Sequence, residues 1–172
     1  LHSEQKEKWK EVLLEQLPKK EKDQVQILDI GTGPGFFAIL LAEEGYQVTA
    51  VDYTEQMLQE AKSNAADLAD QISFKRMDAQ NLEFPKETFD YIVTRNVTWN
   101  LEHPKRAYRE WQRVLKPGGK ILNFDANWYA YLYDDKLKLG YEQDRQRAKE
   151  EQVEDYYEGT DIAWMENIAK QV

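Results

Sequence analysis

The segment Asp29-Ile30-Gly31-Thr32-Gly33-Pro34-Gly35-Phe36 constrains this chain more than any other. It closes the apolar run that begins at Val25, which reads as a buried strand ending in glycines. A helix is predicted directly behind it, from about Gly35 to Glu44. Glycines at alternate positions let the backbone turn tightly and come close to a ligand. The start of the helix offers unpaired N–H groups and a positive dipole end, suited to an anion such as a carboxylate. The alternative is a plain strand-to-helix turn, for which one or two glycines would suffice. The dinucleotide fingerprint Gly-x-Gly-x-x-Gly would put its third glycine at position 36. Phe36 stands there and would obstruct close helix–strand packing, which argues against NAD or FAD. The phosphate loop Gly-x4-Gly-Lys-Ser/Thr is also missing from the sequence.

The rest of the chain repeats the strand-then-helix alternation. Trp9, Val12, Leu13, Leu14 and Leu17 give an amphipathic helix over residues 4–17, stopped by Pro18. Lys19 to Gln24 is a charged connector. Further strands are predicted at Gln47–Val51, Ile72–Arg76, Phe89–Thr94 and Lys120–Phe124. Thr54 can cap a helix reaching about Ala66, and Pro104 suits the first position of a helix reaching Leu115. Pro117-Gly118-Gly119 reads as a turn. The expected fold class is therefore α/β, a doubly wound, mostly parallel sheet with helices on both faces. Residues 134–172 hold 11 acids against 6 bases and read as an acidic helical C-terminal tail. The expected organisation is an N-terminal helix and connector (1–24), an α/β core (25–127) and a helical tail or lid (128–172).

Composition removes several function classes. The 172 residues suffice for one domain with its own core. The chain has no cysteine, so a disulfide framework, a Cys-based zinc site and a cysteine nucleophile are excluded, and no metal site is expected. A net charge of −9 works against nucleic acid and anionic membrane surfaces. No apolar run nears the roughly 20 residues that span a bilayer. The polar Leu1–Lys10 stretch is not a signal peptide, and a cytoplasmic location is expected.

In an open parallel sheet, ligands bind beyond the carboxyl ends of the strands, where strand order reverses. Val51-Asp52-Tyr53 ends the second strand, and a carboxylate there can accept from both hydroxyls of a ribose. The alternative is a solvated acid near a helix start. Met77-Asp78-Ala79-Gln80 follows the third strand, where Asp78 can accept from a purine amine or be a plain loop acid. The fourth end, Thr94-Arg95-Asn96-Val97-Thr98-Trp99-Asn100, is rich in distinctive side chains, with Trp99 as a core plug the alternative. The fifth is Phe124-Asp125-Ala126-Asn127-Trp128-Tyr129.

The ordered set of these segments resembles the class I S-adenosylmethionine (SAM)-dependent methyltransferases over about residues 25–125. It comprises the glycine run from Leu28, Val51 to Leu58, Asp78-Ala79, Phe89 to Val93, and Arg113-Val114-Leu115-Lys116-Pro117-Gly118-Gly119. The resemblance implies methyl transfer from SAM to a small-molecule acceptor. It also implies that Gly31, Thr32, Gly33 and Gly35 wrap the methionine part and that Asp29 orients its amino group. Asp52 and Tyr53 would serve the ribose, with Met57 packing near the adenine or simply filling core. Asp78, the Ala79 N–H and Gln80 would meet the adenine, and the backbone of Arg95 and Asn96 would line the methionine end. Trp99, Trp128 and Tyr129 are expected to wall the acceptor side. No catalytic residue is assigned; Asp125 and His103 are candidates for a base by position alone. The family usually adds an antiparallel strand pair after the fifth strand, and none is legible here. The rival readings are a non-catalytic SAM-binding protein and an incomplete piece of a methyltransferase.

Overall fold

A computed structural model describes residues 3–19, 21–126 and 130–150. Helix α1 (Ser3–Gln16) leads into strand β1 (Gln26–Ile30), α2 (Phe36–Glu43), β2 (Gln47–Asp52), α3 (Glu55–Ala65), β3 (Ile72–Arg76), β4 (Phe89–Arg95), α4 (Pro104–Val114) and β5 (Leu115–Phe124). The strands form one five-stranded sheet in the order β3-β2-β1-β4-β5, every neighbouring pair parallel. The order reverses between β1 and β4, which places the switch point at the glycine run.

Side-chain alternation along the strands builds two cores. Ile27, Val48, Ala50 and Val93 face one side, packed with Leu13 and Leu17 from the N-terminal segment and with Phe37, Leu40 and Leu41 of α2. Leu28, Ile30, Val51 and Ile92 face the other, packed with Ala107, Trp111 and Val114 of α4. Both faces of the central strands are apolar because both are covered.

Three local expectations are corrected. Thr54 sits at the N-cap of α3, but its hydroxyl makes no cap bond; it donates to Asp52 Oδ1 at 2.7 Å. Pro117-Gly118-Gly119 is not a turn before the fifth strand. The strand starts at Leu115, and the pairing jumps from Phe89↔Leu115 to Tyr91↔Lys120, so these residues form a bulge. A Cβ on Gly119 would lie 2.7 Å from the Asp90 carbonyl, so only glycine permits that approach. No helix joins β3 to β4; residues 77–88 form an irregular connection held by α4.

The described residues divide into two compact units between Asp125 and Ala126. In the second, α5 (Asp135–Glu150) follows a short turn at Ala130–Leu132, and Tyr131 stacks on Tyr141 with centroids 4.0 Å apart.

Candidate functional site

The glycine run is held open by left-handed backbone. Gly31, Gly33 and Gly35 have φ of +66°, +52° and +88°, a region that L side chains rarely adopt. A Cβ on Gly31 would run into Val97, and one on Gly35 would meet Ala61 Cβ at 3.0 Å; in front of Gly33 nothing lies within 4 Å. The loop is tied to β2 by Thr32 N–H to the Val51 carbonyl (3.0 Å) and by Gly33 N–H to Asp52 Oδ2 (2.9 Å). Asp52 Oδ1 also accepts from the Thr54 N–H at 3.0 Å. Asp52 is thus a partly exposed carboxylate spanning the turns after β1 and β2.

Asp29 sits differently from its neighbours. It is buried (2 % exposed), and its Oδ2 accepts from the Thr32 hydroxyl at 2.6 Å and from the Ala38 N–H at 3.1 Å. Burial pushes its pKa up to about 6, against the pull of those two donors and of the Arg95 cation. Asp29 therefore braces the loop against the start of α2.

After β3, Asp78 Oδ1 accepts from the Gln80 N–H at 2.8 Å. The Ala79 carbonyl accepts from the indole N–H of Trp111 at 2.8 Å. Gln80 Oε1 accepts from the His103 N–H at 2.6 Å, joining this loop to the start of α4. After β4, Asn96 adopts φ +57° and donates its N–H to the Phe124 carbonyl at 3.0 Å. Asp125 accepts from the Val97 and Thr98 N–H groups at 2.9 and 3.0 Å, one with each oxygen. His103 is the N-cap residue of α4, and its carbonyl accepts from the Arg106 and Ala107 N–H groups.

These strand ends surround one cleft of about 480 Å³ at the switch point. Of the expected residues, Gly31, Asp52, Tyr53, Asp78, Ala79, Gln80 and Asn96 line it. Asp29, Thr32, Gly33, Gly35, Met57, Arg95 and Trp99 do not. Thr32 is buried, and Met57 is half-buried on α3. Arg95 turns onto the Phe36 ring, 4.8 Å from its centroid. Trp99 is 41 % exposed and donates its indole N–H to the Asn96 carbonyl at 2.9 Å. Trp128 and Tyr129 lie outside the described residues. Sequence reasoning missed Val51, Met77, Val97, Asn100, Leu101 and Glu102, which also line the cleft. Their position at strand ends was the signal; as residue types they carry none. No group of acidic and histidine residues able to hold a metal occurs among the described residues.

The family described as "Methyltransferase domain" matches residues 28–123. The chain belongs to this methyltransferase family. A "Ubiquinone biosynthesis O-methyltransferase" of Coxiella burnetii is 31 % identical over 109 residues, 62 % of this chain and 47 % of that protein. A "Ubiquinone/menaquinone biosynthesis C-methyltransferase" of Rickettsia massiliae is 31 % identical over 144 residues, covering 79 % and 54 %. The crystal structure of an S-adenosylmethionine-dependent methyltransferase from Mesorhizobium loti superposes with a TM-score of 0.57 at 28 % identity, covering 66 % of this chain and 51 % of that one. The chain spans about half the length of the curated relatives it matches. The cofactor implied by the family and its solved neighbours is SAM. No helix among the described residues is long and apolar enough to cross a membrane.

Proposed function

We propose that the cleft binds SAM and that the whole protein transfers its methyl group to a small-molecule acceptor in the cytoplasm. The observation that carries this reading is Asp52, whose carboxylate bridges the Gly33 N–H and the turn after β2 on one wall. Asp78 and Ala79 face the same cleft from the loop after β3. A ribose with two hydroxyls fits the first wall and an adenine edge the second. The open space in front of Gly33 fits the methionine chain, because a side chain there would fill it.

SAM supplies a methyl group already activated on a sulfonium. The chain's own residues bind and orient. Asp52 accepts from the ribose hydroxyls, while Asp78 and the Ala79 N–H read the adenine edge. Gly31 to Gly35, braced by Asp29 and Thr32, pass the methionine part toward Asn96. Tyr53, 67 % exposed at the cleft, covers the ribose side. Gln80 steadies the adenine loop through His103. Holding the acceptor in line supplies the rate enhancement, up to roughly 7–11 kcal/mol in the best-oriented cases. Asp125 holds the Val97 and Thr98 N–H groups, one with each oxygen. Trp99 is assigned to the acceptor side.

The relatives' names place those proteins in ubiquinone and menaquinone biosynthesis, and a flat small molecule is the acceptor class proposed here. Methyl-labelled SAM offered with a small-molecule panel should transfer label. Failure of S-adenosylhomocysteine (SAH) to bind would overturn the reading. A non-catalytic SAM binder, the second reading, predicts SAH affinity without label transfer.

A further inference from the structure

Among the described residues, Tyr53 is the one aromatic side chain in the cleft wall. It is also 67 % exposed. A ring so open to water has little packing of its own to hold it. A ligand that had to order the ring on binding would lose affinity to that ordering.

The side chain that touches Tyr53 is Arg76, the last residue of β3. Arg76 stands opposite Asp52 in the parallel pairing of β2 with β3. Its Nε–H donates to the Tyr53 carbonyl at 3.0 Å. Its guanidinium carbon lies 6.0 Å from the Tyr53 ring centroid. One residue on, the Met77 N–H donates to the Asp52 carbonyl at 2.9 Å. The end of β3 therefore clasps both residues of the turn after β2.

Arg76 is itself exposed, and it does not line the cleft. Among the described residues both contacts of its side chain go to Tyr53, one to the backbone and one to the ring. A guanidinium can do both at once. Its fork spends one N–H on a carbonyl while its charge still faces an aromatic ring. The ring contact lies at the outer reach of cation–π attraction, so the hydrogen bond is the stronger hold and the ring contact adds to it. Lysine, a point charge without the planar fork, would keep less of this arrangement.

We propose that Arg76 is a positioning residue for the cleft: it holds Tyr53 in the wall before a ligand enters, and so raises affinity without touching the ligand. The proposal rests on the reading of the cleft as a SAM site. The alternative is a tie between β3 and the turn that has no consequence for a ligand.

The test compares the wild type with Arg76→Met, Arg76→Lys, Tyr53→Ala and the double variant Tyr53→Ala with Arg76→Met. Calorimetry reads SAH affinity, and thermal melts read stability. Arg76→Met should weaken SAH about fivefold with a nearly unchanged melting temperature, and Arg76→Lys should weaken it less. In the Tyr53→Ala background the same Arg76→Met change should cost about twofold at most, because the ring it served is gone. Equal weakening in both backgrounds would overturn the proposal, and so would an SAH affinity that Arg76→Met leaves unchanged. A second measurement reads the ring without any ligand. In protein made with 3-fluorotyrosine, Tyr53→Phe identifies the Tyr53 fluorine resonance. Arg76→Met should move that resonance and leave those of the other tyrosines in place; an unmoved resonance sinks the proposal. If the wild type binds no SAH, the cofactor reading fails, and the fluorine resonance decides by itself whether Arg76 holds Tyr53.

Discussion

Asp52 accepts hydrogen bonds from the Gly33 N–H, the Thr54 N–H and the Thr54 hydroxyl. Removing its carboxylate therefore takes away the proposed ribose contact and loosens the glycine run. Asp52→Ala should weaken SAH binding by about 1.5–3 kcal/mol, the range for a hydrogen bond to a charged group. Its melting temperature should fall only slightly, since the residue is partly exposed. An unchanged dissociation constant in calorimetry would remove Asp52 from the site. The glycines separate in a similar way. Gly33 has open space in front of it at φ +52°, so Gly33→Val should fold with a penalty of roughly 1–2 kcal/mol and lose SAH binding. Gly35 faces Ala61 at 3.0 Å, so Gly35→Ala should chiefly lower the melting temperature. Asp29 gives a pH signature. Its pKa is raised from 3.8 to about 6, so the folded state favours the protonated acid. The stability this contributes is complete below about pH 4 and is lost as pH rises through about 6. Relative to Asp29→Asn, the wild type should lose on the order of 3 kcal/mol between those limits, read from urea midpoints. A flat difference would mean that the carboxyl is better solvated than its burial indicates. Asp52 and Asp78 were legible from residue type and spacing. The turn of Arg95 away from the cleft was not, because Trp9, far away in sequence, supplies part of the surface that draws it.

At the scale of elements, α4 holds the loop that faces the cleft. Arg113 donates to the Leu82 and Phe84 carbonyls, each at 2.7 Å. Glu110 accepts from the Leu82 N–H at 3.1 Å and pairs with Arg113. Trp111, fully buried, donates to the Ala79 carbonyl. The segment from Arg113 to Gly119, recognised as a family signature, thus contributes an arginine that fixes residues 77–88. Trp111→Phe should retain most of the core packing while losing about 1 kcal/mol for the hydrogen bond. The amides of residues 78–82 should then exchange faster than those of β1 and β4, as read by hydrogen exchange. Uniform exchange across the domain would mean that the indole N–H does not hold the loop. The helix lacking between β3 and β4 fits this picture, because side chains of α4 do the work of secondary structure there. Sequence periodicity could not reveal it, since the bonds join residues about 30 positions apart.

At the scale of the molecule, SAM and SAH should raise the melting temperature, whereas NAD should leave it unchanged. Stabilisation by NAD alone would contradict the argument from Phe36. The sequence by itself determined the element order, the parallel sheet and the strand ends that line the cleft. These follow from apolar runs, their period and the glycines between them, all local properties of the chain. Only the tertiary structure decided which of the expected residues share a cleft. Asp52, Asp78 and Asn96 do, whereas Asp29 is buried beneath the loop and Arg95 joins an aromatic cluster. It also decided that Thr54 serves Asp52, that Asp125 serves the Val97–Thr98 backbone, and that Pro117 to Gly119 bulge within a strand. In each case the deciding partner comes from another element or turn, and which donor or surface a side chain meets there depends on how those elements pack.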